Sequence, residues 1–221
     1  MAHWHIGTLT NESYPLPDSI LIDPDTGDTA FMVWKPAETC IVLGSSNKAE
    51  TAVHIEKAEA DGINIYKRPS GGQTVILTTA TLVVSIRFFS ESLDNPRTYF
   101  RKINRLIIAG LATIGISNLS EKGISDIAIG NRKILGSSIY RKKNMVLYHA
   151  VLNVSESPEK ISKYLKHPVR EPEYRAGRDH GDFVTSLLQS GNHQDIEIIK
   201  LTLQRVLAEN LSSAINEKLV F

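Results

Sequence analysis

The chain has 221 residues and nearly balanced charge, with 25 Lys and Arg against 24 Asp and Glu. A domain of that size buries a sizeable core without staples, and near-neutrality excludes a protein that works by coating nucleic acid or an anionic membrane. The one cysteine, Cys40, excludes an internal disulfide and a cysteine-built zinc cluster and fits a reducing, cytoplasmic setting.

Residues 1–10 hold His3 and His5 and no apolar run, so they read as neither signal nor transit peptide. No stretch approaches the roughly 18 apolar residues of a membrane span. Residues 11–30, broken by Pro15, Pro17, Pro24 and Gly27, predict a loop with at most a short helical turn. Ala30–Trp34 and Cys40–Leu43 predict strands. The helical spacing from Lys48 to Asp61, with Gly62 as a stop, predicts one helix. Ile63–Tyr66 predicts a strand. Thr74–Leu77 and Leu82–Phe88 predict a hairpin or strand pair about a Thr78–Thr81 turn.

Asn95-Pro96 is a helix start, since Asn caps and Pro suits the first helical position. That helix is expected to run to about Ile114 with Tyr99, Ile103, Leu106, Ile107, Leu111 and Ile114 on its buried stripe. Its basic residues Arg97, Arg101, Lys102 and Arg105 read as a solvated face or a docking surface for an acidic partner. Asp126–Ile129, Lys133–Tyr140 and Met145–Val154 predict an antiparallel series, with Arg141-Lys142-Lys143 at a solvated hairpin tip. Ser157-Pro158 opens a helix to about Leu165. Residues 167–182 predict a loop in which Arg175, Arg178 and His180 could close over an anion. Asp195 to about Lys218 predicts a closing amphipathic helix. The order gives an α+β class, a mixed sheet and one domain.

Three segments have the composition of a binding site. In Lys67-Arg68-Pro69-Ser70-Gly71-Gly72-Gln73-Thr74, paired glycines let backbone N–H groups approach a ligand, and Arg68 offers a fork for carboxylate or phosphate. The same residues also fit a plain Gly-Gly turn. In the second segment Asp126 opens a strand and Lys133 opens the return strand before Gly136-Ser137-Ser138. Strict alternation there puts Lys133 and Leu135 on one face and Ile134 and Gly136 on the other. An ordinary hairpin with a solvated lysine fits equally. In the third, His149 lies within an apolar strand beside Ala150, as a packing or a functional histidine. The scattered histidines predict no protein-built metal site, and Cys40 reads as a buried, inert thiol.

Taken in order from about Trp34 to about Leu187, these segments resemble the lipoate–protein ligase family, relatives of the biotin ligases. Cys40-Ile41-Val42-Leu43-Gly44-Ser45-Ser46-Asn47 is similar to its strand ending in Gly and a polar pair. Lys67–Gly72 is similar to its lipoate loop. Ser125-Asp126 with Arg132–Ser138 is similar to its Asn-Asp and Lys-Ile-x-Gly-Ser-Ala segments, Tyr148–Leu152 to its His-Gly strand, and Phe183–Leu187 to its late Val-Thr-Asn-Leu. The resemblance implies a mixed, largely antiparallel sheet packed by helices. It implies activation of lipoate by ATP with Mg²⁺ to lipoyl-adenylate, then transfer to a lysine of a lipoyl-domain acceptor. Lys133 matches the active-site lysine and is the catalytic candidate. Arg68, Ser70, Gly71, Gly72, Gln73, Gly136, Ser137, His149 and Ala150 are the candidate substrate and adenylate contacts, and Asp126 matches an aspartate near the nucleotide and Mg²⁺.

Gln73, where the family has a third glycine, looks like the Gly-Gly-Gln of the octanoyltransferase branch. Leu77 and Thr78 stand at the family's His-Asp, and Ser125 at its Asn. With no cysteine after Cys40, a thioester-forming transferase is disfavoured. The alternatives are a cysteine-independent octanoyl or lipoyl transferase between carriers, and a non-catalytic lipoyl- or adenylate-binding homologue. Residues 1–221 are expected as a single catalytic domain without a C-terminal accessory domain, either self-sufficient or served by a separately encoded partner.

Overall fold

A computed structural model of the chain describes residues 14–22, 28–90 and 95–216. Two sheets organise it. The larger has six strands, all antiparallel, in the order β1-β5-β9-β8-β7-β6. These are β1 (Ala30–Trp34), β5 (Thr81–Phe89), β6 (Leu119–Lys122), β7 (Asp126–Ile129), β8 (Arg132–Lys142) and β9 (Met145–Asn153). The smaller has β2 (Cys40–Leu43) at its centre, parallel to β3 (Asn64–Lys67) and antiparallel to β4 (Val75–Leu77). The fold is therefore α+β with largely antiparallel pairing, divided between two sheets.

Helices α3 (Pro96–Ala112) and α6 (Ile196–Asn216) cover one face of the large sheet. Leu82, Val84, Ile86 and Phe88 of β5 point there, meeting Tyr99, Ile103, Ile107 and Leu111 of the expected α3 stripe. Each fully buried aliphatic of this layer contributes roughly 1.5–3 kcal/mol. The other face meets the small sheet. Cys40 and Val42 alternate onto Trp34, Leu77 and Val83 at the seam, while Ile41 and Leu43 face outward. Those two are covered by α1 (Ala49–Ala52), α2 (Ile55–Ala60) and the end of α4 (Pro158–Tyr164). Asn95 and Ser157 cap α3 and α4 as their sequences require, accepting from the backbone N–H of Arg97 and Lys160.

Several expectations are corrected. The single helix over 48–61 is two, because buried, β-branched Val53 takes an extended conformation and bridges Leu165. The flanking N–H groups of His54 and Lys166 bond to Tyr164 and Ala52 carbonyls, so a strand-like pairing outcompetes the helical turn. The Thr78–Thr81 turn exists, but β4 and β5 are not partners: the chain crosses there from the small sheet to the large one. β6 has no counterpart in the sequence reading. Lys102 is not solvated; it is buried and its Nζ donates to the Ile215 carbonyl at 2.6 Å, tying α3 to the last turn of α6. Residues 167–182 contain a 3-10 turn (Glu173–Arg175) and the start of α5 (His180–Phe183), and Arg175 is buried against Phe183. The early turn is a 3-10 helix, Pro17–Leu21. Residues 11–13 and 23–27 of the expected loop, and the expected helix end at 217–218, lie outside the described residues.

Candidate active site

A cavity of about 1140 Å³ opens at the seam between the two sheets. Val42, Ile76, Leu77, Val83 and Val151 give it an apolar wall, and polar groups converge at its side. Of the candidate residues, Lys133, Arg68, Gly72, Gln73, Asp126, Gly136, Ser137 and His149 line it. Ser70 is fully buried behind the glycine turn, Gly71 stands in that turn, and Ala150 turns into the core beneath the sheet.

Lys133 owes its position to an irregularity in β8. Gly136 pairs with Asp126 and Leu135 with Ile127, but Lys133 pairs with Ala128, so Ile134 is an extra residue in a β-bulge. The bulge overturns strict alternation. Lys133 and Gly136, not Lys133 and Leu135, share the cavity face with Asp126, and both Ile134 and Leu135 are buried. Lys133 Nζ lies 2.8 Å from Asp126 Oδ1. Asp126 Oδ2 accepts from the hydroxyl of Tyr174 at 2.8 Å. Burial foremost, then the Asp126 charge, pushes that phenol far up, so it stays a donor. A Cβ on Gly136 would lie 2.5 Å from Lys133 Cε and Nζ, so the absent side chain is where the lysine lies.

The glycine turn is organised from within. The Arg68 guanidinium is buried, which lowers it to about 10. Its Nε donates to Ser70 Oγ at 3.0 Å, one terminal nitrogen to the Val42 carbonyl at 3.2 Å, and the other to the Gly71 and Gln73 carbonyls at 2.8 Å each. Arg68 thus shapes the loop instead of presenting a free fork. Gly44 and Gly72 approach so closely that a Cβ on Gly44 would meet the Gly72 oxygen at 2.0 Å. Gln73 Nε2 donates to the Arg170 carbonyl at 2.9 Å, which fastens the turn to the 167–182 loop. Ser137 donates its hydroxyl to the Ser125 carbonyl at 2.7 Å.

Behind the turn runs a buried polar line that crosses the seam. Ser70 Oγ accepts from Ser138 Oγ at 3.0 Å and lies 3.3 Å from His149 Nδ1. His149 Nε2 lies 3.2 Å from Asp18 Oδ2. This last approach is within ion-pair distance but falls outside good hydrogen-bond geometry. Asp18, fully buried in the 3-10 helix, also accepts from Ser85 Oγ. No pattern in the Pro- and Asp-rich early segment singles out Asp18, and nothing in the late loop singles out Tyr174; each is placed by tertiary contacts.

Burial pushes the Asp18 carboxyl up, but His149 and Ser85 outweigh it and hold it below the ordinary carboxylate range. Its contribution to stability is therefore complete above the unfolded value of about 3.9 and is lost as pH falls through the lower folded value. Asp18→Asn is expected to cost about 1–3 kcal/mol at neutral pH by disturbing the buried acceptor that Ser85 and His149 face. It should also flatten the fall in urea-unfolding stability below about pH 4; parallel acid limbs in the two proteins would contradict the assignment.

In the late loop, Arg175 and Arg178 pack over the Phe183 ring, with charge centres 4.7 and 5.3 Å from its centroid, and donate to carbonyls of the same loop. They brace the loop. His180 also lines the cavity, and burial, then Arg175, lowers it to about 4, so it is neutral at pH 7. Cys40 is 2% exposed, and burial pushes its thiol up to about 12. The native protein is expected to resist maleimide at neutral pH and to react once unfolded. Cys40→Ser should leave activity intact, and loss of turnover in that variant would refute an inert role. Among the described residues, no group of three or more His, Cys, Asp or Glu is arranged to hold a metal ion, and no helix is long and apolar enough to cross a membrane.

Comparison with known proteins adds to this geometry. A family profile described as the lipoyl protein ligase A/B catalytic domain matches residues 18–208. The lipoate-protein ligase A of Psychrobacter cryohalolentis is 28% identical over 151 residues, covering 67% of this chain but only 42% of that protein. The octanoyltransferase LipM of Clostridioides difficile is 26% identical over 207 residues, covering 82% of this chain and 74% of that one. This chain thus spans less than half of the ligase's length. Among solved structures, the bipartite lipoate protein ligase of Thermoplasma acidophilum, described with its E2 lipoyl domain, superposes with a TM-score of 0.74 at 21% identity. That match covers 87% of this chain and 76% of the other, a likeness of fold.

Proposed function

Because this chain belongs to the lipoyl protein ligase A/B catalytic-domain family, we propose that it joins lipoate to proteins: ATP activates the acid to lipoyl-adenylate, and the acyl group passes to a lysine of a lipoyl domain. The observation that carries the reading is the Lys133 ammonium, held by Asp126 beside Gly136 on the wall of the seam cavity. In the first step a lipoate carboxylate oxygen attacks the α-phosphorus and pyrophosphate leaves. In the second the acceptor's neutral amine attacks the acyl carbon, AMP leaves with the bonding electron pair, and the amine gives up a proton. Negative charge gathers on phosphoryl and carbonyl oxygens in both steps, and a fixed ammonium in a partly dry site stabilises it.

The apolar wall suits the acyl chain. The open backbone of Gly71-Gly72 suits close approach of the adenylate. Arg68, Ser70 and His149 act one layer back by fixing that turn. Mg²⁺ fits as a companion of the triphosphate, because it binds through one or two carboxylates plus substrate phosphates and Asp126 supplies one carboxylate on the wall; bound there it would screen phosphate charge.

The bipartite relative supports a separately encoded accessory partner and a lipoyl domain as acceptor, and the lone buried thiol is consistent with a cytoplasmic setting. The test is lipoate-dependent exchange of pyrophosphate into ATP. Exchange that requires lipoate supports the ligase. A second reading, acyl transfer between carriers, has Gln73 and the long match to the octanoyltransferase in its favour. Absence of exchange together with octanoyl transfer from an acyl-carrier protein would decide for it.

A further inference from the structure

The rim of the seam cavity combines exposed apolar side chains with cations that have no described partner. Val169 is 87% exposed and Ile124 54% exposed, and both stand on the cavity wall. Large apolar side chains flanking a functional opening are the composition of a docking anchor. Beside them stand Lys48, Arg97 and Arg170, all exposed. Arg101 continues the stripe one turn along α3, also exposed. Further on, Arg105 is already paired with Glu121 at 3.2 Å. Helix α3 contains no acidic residue, and Arg97 lies in its first turn, where the helix dipole favours a carboxylate. On the described rim Lys48, Arg97, Arg101 and Arg170 outnumber the exposed carboxylates, Glu171, which is paired with Arg175 and His167, and Glu173, and so favour an anionic partner beside the opening.

An acceptor lysine is itself cationic, so this rim repels it unless carboxylates accompany it. We propose that Arg97 and Arg101, with Val169 and Ile124 as apolar anchors, form the docking surface for the acceptor domain, and that the acceptor meets it with an acidic face around its target lysine. The proposal rests on the ligase reading for the identity of the acceptor and on the rim for the surface. It assigns these arginines to recognition of the protein substrate, with no part in activating the acid.

The test pairs a binding measurement with the first half-reaction. The probe is an unlipoylated E2 lipoyl domain, followed by fluorescence anisotropy. R97E/R101E is expected to weaken binding by about tenfold or more and to raise KM for the domain in parallel, with lipoate-dependent exchange within about twofold of wild type. R97K/R101K should bind nearly as wild type. Wild-type binding should weaken as ionic strength rises, and that of R97E/R101E should be almost insensitive to salt. Unchanged binding by R97E/R101E would overturn the proposal, as would an equal loss in R97K/R101K or a parallel loss of exchange. If wild type shows charge-dependent binding and moves octanoyl from an acyl-carrier protein without any exchange, the docking surface stands and the ligase reading falls.

Discussion

Lys133→Ala is expected to lower lipoate-dependent exchange by about 10²–10³-fold, the usual cost of removing one preorganised stabiliser of developing charge. On the proposed mechanism the loss should fall on kcat, with KM for lipoate little changed, because there the ammonium would act where charge appears and the apolar wall would hold the chain. The variant should also carry a modest stability cost. Asp126 is only 7% exposed in its side chain, and losing the lysine leaves its carboxylate with the Tyr174 hydroxyl as its remaining described partner. A thermal melt separates the two effects. A folded variant with wild-type exchange would remove Lys133 from the chemistry and with it the main support for the proposed mechanism.

Gly136→Ala tests the same geometry without replacing a charged residue. The added methyl would overlap the end of the Lys133 side chain, at 2.5 Å from Cε and Nζ. A lysine terminus yields far more readily than backbone, so the lysine should swing off Asp126 while the sheet survives. Stability is expected to stay within about 1–2 kcal/mol of wild type, and exchange to fall by about a hundredfold, the scale on which a displacement of about 1 Å matters. Loss of activity with a preserved melting transition is the signature. Wild-type exchange in Gly136→Ala would show that the ion pair seen here is not the working position of the lysine.

Local signals account for what the sequence reveals of the fold. Period and capping alone define α3, because Asn95, Pro96 and the stripe through Tyr99, Ile103, Ile107 and Leu111 are all within one element. Strands β1 and β2 are equally local. The misread features are non-local. Val53 leaves the helix for a partner more than a hundred residues away at Leu165, and β4 and β5 part company because their partners lie in different sheets. A bulge has no signature in composition, so strict alternation sets Lys133 and Gly136 on opposite faces although the structure puts them on one. The candidate site is legible as residue types in order, since Gly72 of the glycine turn, Asp126 and Lys133 line one cavity. The inward use of Arg68 is not, because a guanidinium meant for a ligand and one meant for carbonyls look alike in sequence. Nor is Asp18, whose partners Ser85 and His149 come from two other strands.

The sealed position of Cys40 makes the chain convenient to watch at work. The sole thiol of the sequence lies at the seam, 2% exposed and locked in the protonated form at neutral pH. A cysteine placed by Val169→Cys, on the most exposed of the large apolar side chains at the opening, would therefore be the single thiol open to a dye, with no background to remove first. A fluorophore carried there, at the edge of the proposed docking surface and in place of one of its two apolar anchors, is expected to change its signal when a lipoyl domain binds.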